Sequence, residues 1–280
     1  MFALVAVMML SAQAAAVVLK PVANMYSRPD EEADVVSQAI YGTTVTLLEE
    51  RGDWARISTP DAYTGWTPLG ALRRLASGEP PYASQGRVVR VESLFAHVYR
   101  EPDVTRRQPL LTLPFETRLE SAQAPDSNAR WLLIRLADGA QAWIQRGDVR
   151  PDPAPLSLDQ VLALARRFLG LPYLWGGTST FGYDCSGFVQ MLCRQRGVLI
   201  PRDAAPQCRW EGMLPVSKDA IQPGDLLYFG ASLEKITHTG MYLGDSEFIN
   251  ATTYQQPVVR IDRLDDPHWQ KLFVAARRLK

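Results

Sequence analysis

The sequence predicts an α+β domain over residues 157–280, preceded by two small all-β units over 17–76 and 86–150. Three observations carry this. Strand-like segments fill the first half of the chain, and residues 86–150 loosely repeat the plan of 17–75. Two helix signatures then open the C-terminal region. After them, segments near 224–230, 237–244, 246–252, 257–262 and 272–277 alternate in the manner of an antiparallel sheet. At 280 residues the chain has room for two or three domains, at roughly 100–150 residues each. It is 46% apolar and 21% charged with a formal net charge of zero, the composition of a soluble globular protein. That balance gives no basis for nucleic acid or an anionic membrane surface as a partner.

Residues 1–16 form an apolar run ending in small residues, and Ala12-Gln13-Ala14 fits a signal-peptidase site. The run falls short of the roughly 20 apolar residues a membrane span needs. The expectation is a signal peptide at 1–16, export to the periplasm, cell wall or medium, and no integral membrane contact. Strands are expected at Val17-Val18-Leu19, Met25-Tyr26, 35–40, 43–49, 54–58 and Gly65-Trp66-Thr67, with turns at Tyr41-Gly42 and Arg51-Gly52-Asp53. Apolar strand, Gly-Asp-Trp, strand, then Tyr-x-Gly-Trp resembles a bacterial SH3-like barrel. Arg130-Trp131-Leu132-Leu133-Ile134 matches Asp53-Trp54-Ala55-Arg56-Ile57, and residues 138–144 match 61–67. Two SH3-like barrels follow, joined by a linker at 77–85, the second with an irregular insert near 122–128.

Pro151-Asp152-Pro153-Ala154-Pro155 reads as a stiff linker over 151–156. Ser157 and Gln160 form a capping box, and apolar residues at 158, 161, 162, 165, 168 and 169 follow helical spacing until Gly170 and Pro172. This is a packing helix. Asp184 is a good N-cap for a second helix that closes near Gly197, which places Cys185 in its first turn. Orphan N–H groups and the helix dipole there favour a thiolate and predict a thiol pKa below the usual value of about 8.5. Two readings of Cys185 stand side by side, a nucleophile or a buried core cysteine. Cys193 and Cys208 fit the second description, whether paired in a disulfide or free.

A nucleophile needs a base. His97 lies far upstream and His268 sits in a polar turn, which suits a solvated loop residue. His238 lies in a strand, and Asn250, twelve residues on (250 − 238), falls in the next one. Neighbouring antiparallel strands bring such a pair together, and Cys-His-Asn is a known nucleophile–base–orienter set. Taken alone, Asn250 reads better as a strand-end or turn residue than as an orienter. No His/Cys/Asp/Glu cluster has metal-ligand spacing, so no metal or other cofactor is expected.

Five blocks, in order, carry a resemblance: Pro172-Tyr173-Leu174-Trp175-Gly176-Gly177, Asp184-Cys185-Ser186-Gly187-Phe188, Pro201-Arg202-Asp203, Pro223-Gly224-Asp225-Leu226-Leu227 and His238-Thr239-Gly240-Met241-Tyr242-Leu243-Gly244. Together they resemble the NlpC-type family of cell-wall cysteine peptidases, whose domain is a compact papain-like fold. The resemblance implies Cys185, His238 and Asn250 as catalytic residues, with Asn250 where the family usually has a histidine. It implies peptidoglycan stem peptides as substrate, cut between γ-D-glutamate and an L-diamino acid, meso-diaminopimelate above others. It also implies recognition of a free N-terminal L-alanine by Asp203, with Tyr173 and Tyr63 lining the pocket and Ser186 and Arg202 beside it. Val36 stands where such members carry an acidic residue, and Ala204 where a serine often follows the aspartate. Trp175 reads as packing around the Gly-Gly turn. Two other functions fit the same sequence: a wall-binding protein with a weakened catalytic domain, and an N-acetylmuramoyl amidase or acyltransferase of related fold.

Overall fold

The computed structural model describes residues 14–123, 128–151 and 154–280. Most of the expected signal peptide therefore lies outside the described residues, as do parts of the insert and of the proline linker. One boundary is corrected. Ala15 and Ala16, assigned to the signal peptide, stand in the first strand and pair with Thr46 and Val45. Ala16 is fully buried in that sheet.

The first unit is a seven-stranded antiparallel sheet: β1 (Ala15–Val18), β2 (Val22–Tyr26), β3 (Val35–Ile40), β4 (Thr44–Arg51), β5 (Trp54–Ser58), β6 (Thr64–Pro68) and β7 (Leu72–Arg74). The second comprises β8 (Val88–Val91), β9 (Phe95–Tyr99), β10 (Leu111–Pro114), β11 (Arg118–Ser121), β12 (Trp131–Arg135), β13 (Gln141–Gln145) and β14 (Val149–Pro151). Their strand orders are 3-2-6-5-4-1-7 and 10-9-13-12-11-8-14, the same order shifted by seven. The weak sequence repeat thus has a topological counterpart. Among the described residues the end strands of each sheet do not pair with each other, so each ladder is open.

The units are not beads on a string. Val17 and Tyr41 of the first pack into the core of the second, and the Ala137 N–H donates to the Tyr41 hydroxyl at 2.7 Å. The segment expected to be a plain linker carries Tyr82, whose ring meets Tyr41 edge-on with the centroids 6.2 Å apart. Its hydroxyl donates to the Arg135 carbonyl at 2.5 Å.

The C-terminal unit packs helices α1 (Leu158–Ala165), α2 (Cys185–Gln195), α3 (Ala204–Arg209) and α4 (Pro267–Leu272) on an antiparallel sheet. A two-residue pair, β15 (Thr178–Ser179) with β16 (Gly182–Tyr183), precedes α2. The main sheet contains β17 (Met213–Val216), β18 (Leu226–Ser232), β19 (Lys235–Gly244), β20 (Glu247–Thr252), β21 (Val258–Arg263) and β22 (Phe273–Leu279), in the order 17-22-18-19-20-21. The Ser157–Gln160 capping box forms as expected, with both reciprocal bonds present. Helix α2 is buried over ten of its residues, from Cys185 to Cys193 and at Gln195, because it lies between the sheet and the two N-terminal units. Cys193 and Cys208 are buried and free, which closes the disulfide alternative.

Both N-terminal units dock on this domain. Gln38 of β3 accepts from Thr178 N–H at 3.1 Å, and Asp61 accepts from Gln190 Nε2 at 2.8 Å. Gly176 has φ +75, and a Cβ there would sit 2.7 Å from the Val35 carbonyl oxygen, so β3 abuts the Gly-Gly loop directly. From the second unit, Glu116 pairs with Arg194 of α2 at 2.7 Å.

Candidate active site

Asp184 caps α2, its Oδ1 accepting from the Gly187 N–H at 2.7 Å. Cys185 is therefore the first helical residue, buried at 8% exposure. The backbone N–H groups of Ser186 and Thr239 lie near enough to favour the thiolate. The thiol thus lies beside the peptide that joins His238 to Thr239, which brings the start of α2 against β19. Expectation and structure part on the thiol's acidity. Burial, followed by the Asp184 carboxylate, pushes Cys185 up to about 12, against the pull of the two N–H groups and Arg202. Desolvation outweighs the helix terminus, and the N-cap carboxylate beside the sulfur adds to it.

His238 is half-buried on β19. Its Nε2 meets Asn250 Oδ1 at 2.8 Å, and its ring stacks on Trp269 of α4 at 4.9 Å between centroids. Burial draws the imidazole down to about 4, with the Asn250 bond opposing. Both shifts favour the neutral form, of the thiol and of the imidazole. Gly240, between the two residues on the ladder, makes their meeting feasible. A Cβ there would lie 3.0 Å from the Asn250 Cβ, so a side chain would wedge the row apart. Asn250 is fully buried, and its Nδ2 donates to Asp262 Oδ2 at 3.0 Å.

Arg202 is placed differently from the expectation. It is 2% exposed, and its guanidinium donates to both Asp184 oxygens (3.0 and 2.5 Å), to Ser186 Oγ (2.9 Å) and to Ser37 Oγ of β3 (3.0 Å). With these donors committed, it holds the N-cap of the cysteine helix and ties it to the first unit. Ser186 Oγ, which also donates to Asp184, is part of the same buried network. Both side chains belong to this buried network. Asp203 is exposed, and among the described residues no ion pair engages it. Its carboxyl is raised by partial burial, offset by the Arg202 charge and by a hydrogen bond from Tyr63. Tyr63, half-buried at the edge of the first unit, is in turn pushed up to about 12, by burial first and then by Asp203. Tyr173 is half-buried near Cys185 and Asp184, and burial raises its phenol.

Val36 packs against the apolar core of the first unit, and Ala204 is buried at the start of α3, so neither supplies a polar atom to this pocket. Trp175 is 68% exposed, contrary to the packing role expected for it. The turn that seats Gly176 against β3 leaves the indole outside. His268 is not a solvated loop residue either: it lies in α4 and stacks on Tyr254 at 3.9 Å. Sequence reasoning passed over Trp269 and Asp262. For Asp262 a signal existed, since it follows Asn250 by the same twelve residues (262 − 250) that separate Asn250 from His238. A cavity of about 510 Å³ between the units is lined by Gln38, Tyr41, Asp61, Tyr82, Glu116 and Gln190, not by Cys185 or His238. Among the described residues there is no cluster of three or more potential metal ligands, and no helix is long and apolar enough to cross a membrane.

Residues 170–278 match the NlpC/P60 family, and residues 25–72 match the bacterial dipeptidyl-peptidase Sh3 domain. A gamma-D-glutamyl-L-lysine dipeptidyl-peptidase of Bacillus cereus is 31% identical over 258 residues, 86% of this chain and 74% of that protein. Dipeptidyl-peptidase 6 of Lysinibacillus sphaericus is 28% identical over 90% of this chain and 93% of its own length. The crystal structure of an NlpC/P60 family protein from Bacillus cereus superposes with a TM-score of 0.81 at 26% identity, covering 95% of this chain and 99% of that one. The class is that of cysteine peptidases with a papain-like domain and an SH3-like region ahead of it. Within that class, the chain belongs to the NlpC/P60 family.

Proposed function

We propose that this protein hydrolyses the bond between γ-D-glutamate and an L-diamino acid in peptidoglycan stem peptides that carry a free N-terminal L-alanine. The observation that carries the reading is Cys185 at the start of α2, a helix packed on the β19 strand where His238 is bonded to Asn250. Cys185 Sγ attacks the γ-glutamyl carbonyl carbon as its proton passes to His238 Nδ1, the ring nitrogen not taken by Asn250. Backbone N–H groups at the start of α2, with the Tyr173 hydroxyl, stabilise the oxyanion. His238 then protonates the departing amine, and water hydrolyses the thioester. The steps need no redox partner.

Substrate choice follows from Asp203 and Tyr63. A carboxylate that no ion pair engages among the described residues, bonded by a phenol from another unit, is suited to an α-ammonium group. The relatives named as dipeptidyl-peptidases act, by their names, on dipeptide units, which agrees with recognition of a free amino end. The two N-terminal sheets, with their shared strand order, are read as tandem SH3-like domains that narrow the site to short free peptides.

The test is mass spectrometry of products from L-Ala-γ-D-Glu-L-Lys, its meso-diaminopimelate counterpart and their N-acetylated analogues, with wild type and Cys185→Ala. Release of L-Ala-D-Glu from the free-amine peptides by wild type alone is the expected result. Cleavage of the acetylated peptides at equal rates would retain the peptidase and sink the Asp203 gate. Release of intact peptide from muramyl substrates would point to an amidase. Binding to sacculi with no hydrolysis would point to a wall-binding protein.

A further inference from the structure

His238, Asn250 and Asp262 form a diagonal row across three neighbouring strands, β19, β20 and β21. Asn250 pairs with Arg260 in the β20–β21 register, so Asp262 is its diagonal neighbour on the same face. The bonds run 2.8 Å from His238 Nε2 to Asn250 Oδ1 and 3.0 Å from Asn250 Nδ2 to Asp262 Oδ2. Asn250 is fully buried and Asp262 is 7% exposed. Arg260 lies 3.0 Å from the other Asp262 oxygen and is itself held by the Tyr254 carbonyl and Gln255 Oε1.

We infer that Asp262 is a positioning residue: its carboxylate fixes the orientation of the Asn250 amide and thereby decides which nitrogen of His238 carries the proton. An amide presents an acceptor on one edge and a donor on the other, so alone it bonds equally well to either tautomer of an imidazole. A carboxylate accepts and does not donate. The amide edge facing Asp262 must therefore be the Nδ2 edge, and the Arg260 carbonyl at 3.4 Å is a second acceptor on that side. Oδ1 is left facing His238, whose Nε2 must then bear the hydrogen. Nδ1 remains an open acceptor for the proton of Cys185. A histidine in place of Asn250 would meet the same logic through its own tautomer. The row is not needed to hold the sheet, because β20 and β21 already pair at six positions.

This inference rests on the proposed role of His238 as the base. The test pairs kinetics with the ¹⁵N spectrum of the imidazole rings, of which there are three in the chain. Asp262→Asn keeps the shape but offers either a donor or an acceptor. It should lower kcat about ten- to a hundredfold with KM within about twofold, the pattern of a lost orienter. In the Cys185→Ala background, the His238 signals should move from the Nε2–H form toward a mixture of tautomers. The exchange Asn250→Asp with Asp262→Asn again puts an acceptor-only group opposite Nε2, and should return the Nε2–H signature and part of kcat. A purely structural role would lower the melting temperature while leaving both tautomer and kcat per folded molecule unchanged, and that result overturns the inference. If wild type cleaves none of the peptides, the hydrolase reading fails. The tautomer of Asp262→Asn then decides this proposal on its own, with an unchanged Nε2–H spectrum against it.

Discussion

Arg202→Met removes the cation from the most enclosed ion pair at the site. Asp184 would lose both guanidinium bonds, at 3.0 and 2.5 Å, while it keeps the Gly187 N–H at 2.7 Å and Ser186 Oγ at 3.2 Å. Leaving one member of a buried pair unpaired costs about 3–5 kcal/mol. The two remaining bonds put this case near the lower end, at about 3 kcal/mol. At roughly 2–4 °C per kcal/mol, the cooperative unit containing α2 should melt about 6–12 °C lower. Asp184→Asn keeps the N-cap but leaves the arginine charge uncompensated, so it should cost a similar amount. The double variant should cost less than the sum by about 2 kcal/mol or more, since it buries no lone charge. Urea and thermal denaturation of the four proteins give the cycle. A loss under about 1 kcal/mol for Arg202→Met, or strict additivity, would refute the view that Asp184 depends on Arg202.

The His238 imidazole, held near pH 4 by burial against an ordinary value of 6.5, binds fewer protons folded than unfolded between those values. Stability contributed by this group is complete above about 6.5 and is lost as the pH falls toward 4; the difference between wild type and His238→Gln in denaturation from pH 4 to 7 should show that slope, and parallel curves would exclude it. Gly176→Ala forces a positive φ on an L residue and drives a Cβ to 2.7 Å from Val35 O, so the docking of β3 should weaken by about 1–3 kcal/mol, read as faster proteolysis between the units. Unchanged protection would mean the loop shifts freely. Asp203→Asn should cut the preference for free-amine over N-acetylated peptides about tenfold, the low end for a charge-assisted bond at an exposed carboxylate, while Tyr63→Phe should give a smaller loss. Equal preference in all three proteins would remove Asp203 from recognition.

Local signals carried much of the fold. The capping box at Ser157, the Asp184 cap and the breaks around Gly-Asp-Trp are written in adjacent residues, and each marks an element boundary that formed. The twelve-residue offset from His238 to Asn250 was legible because antiparallel neighbours repeat a hairpin spacing. The strand order was not. β22, last in the chain, inserts between β17 and β18, a choice made by long-range pairing rather than by any local preference.

By itself, the sequence determined which segments pair within themselves, where α2 begins, and therefore that Cys185 heads a helix. Those outcomes depend on caps, turns and periodicity, all interactions within a few residues. Tertiary structure decided the chemistry of that position. Burial of the helix start reversed the expected direction of the thiol's pKa, Arg202 was drawn inward to neutralise Asp184 instead of facing the pocket, and Trp175 was turned outward. It also brought Tyr63 to Asp203 across 140 positions of chain (203 − 63) and Asp262 to Asn250 across two strands. Desolvation and charge pairing depend on what the rest of the chain places around a group, and that information is absent from its neighbours in sequence.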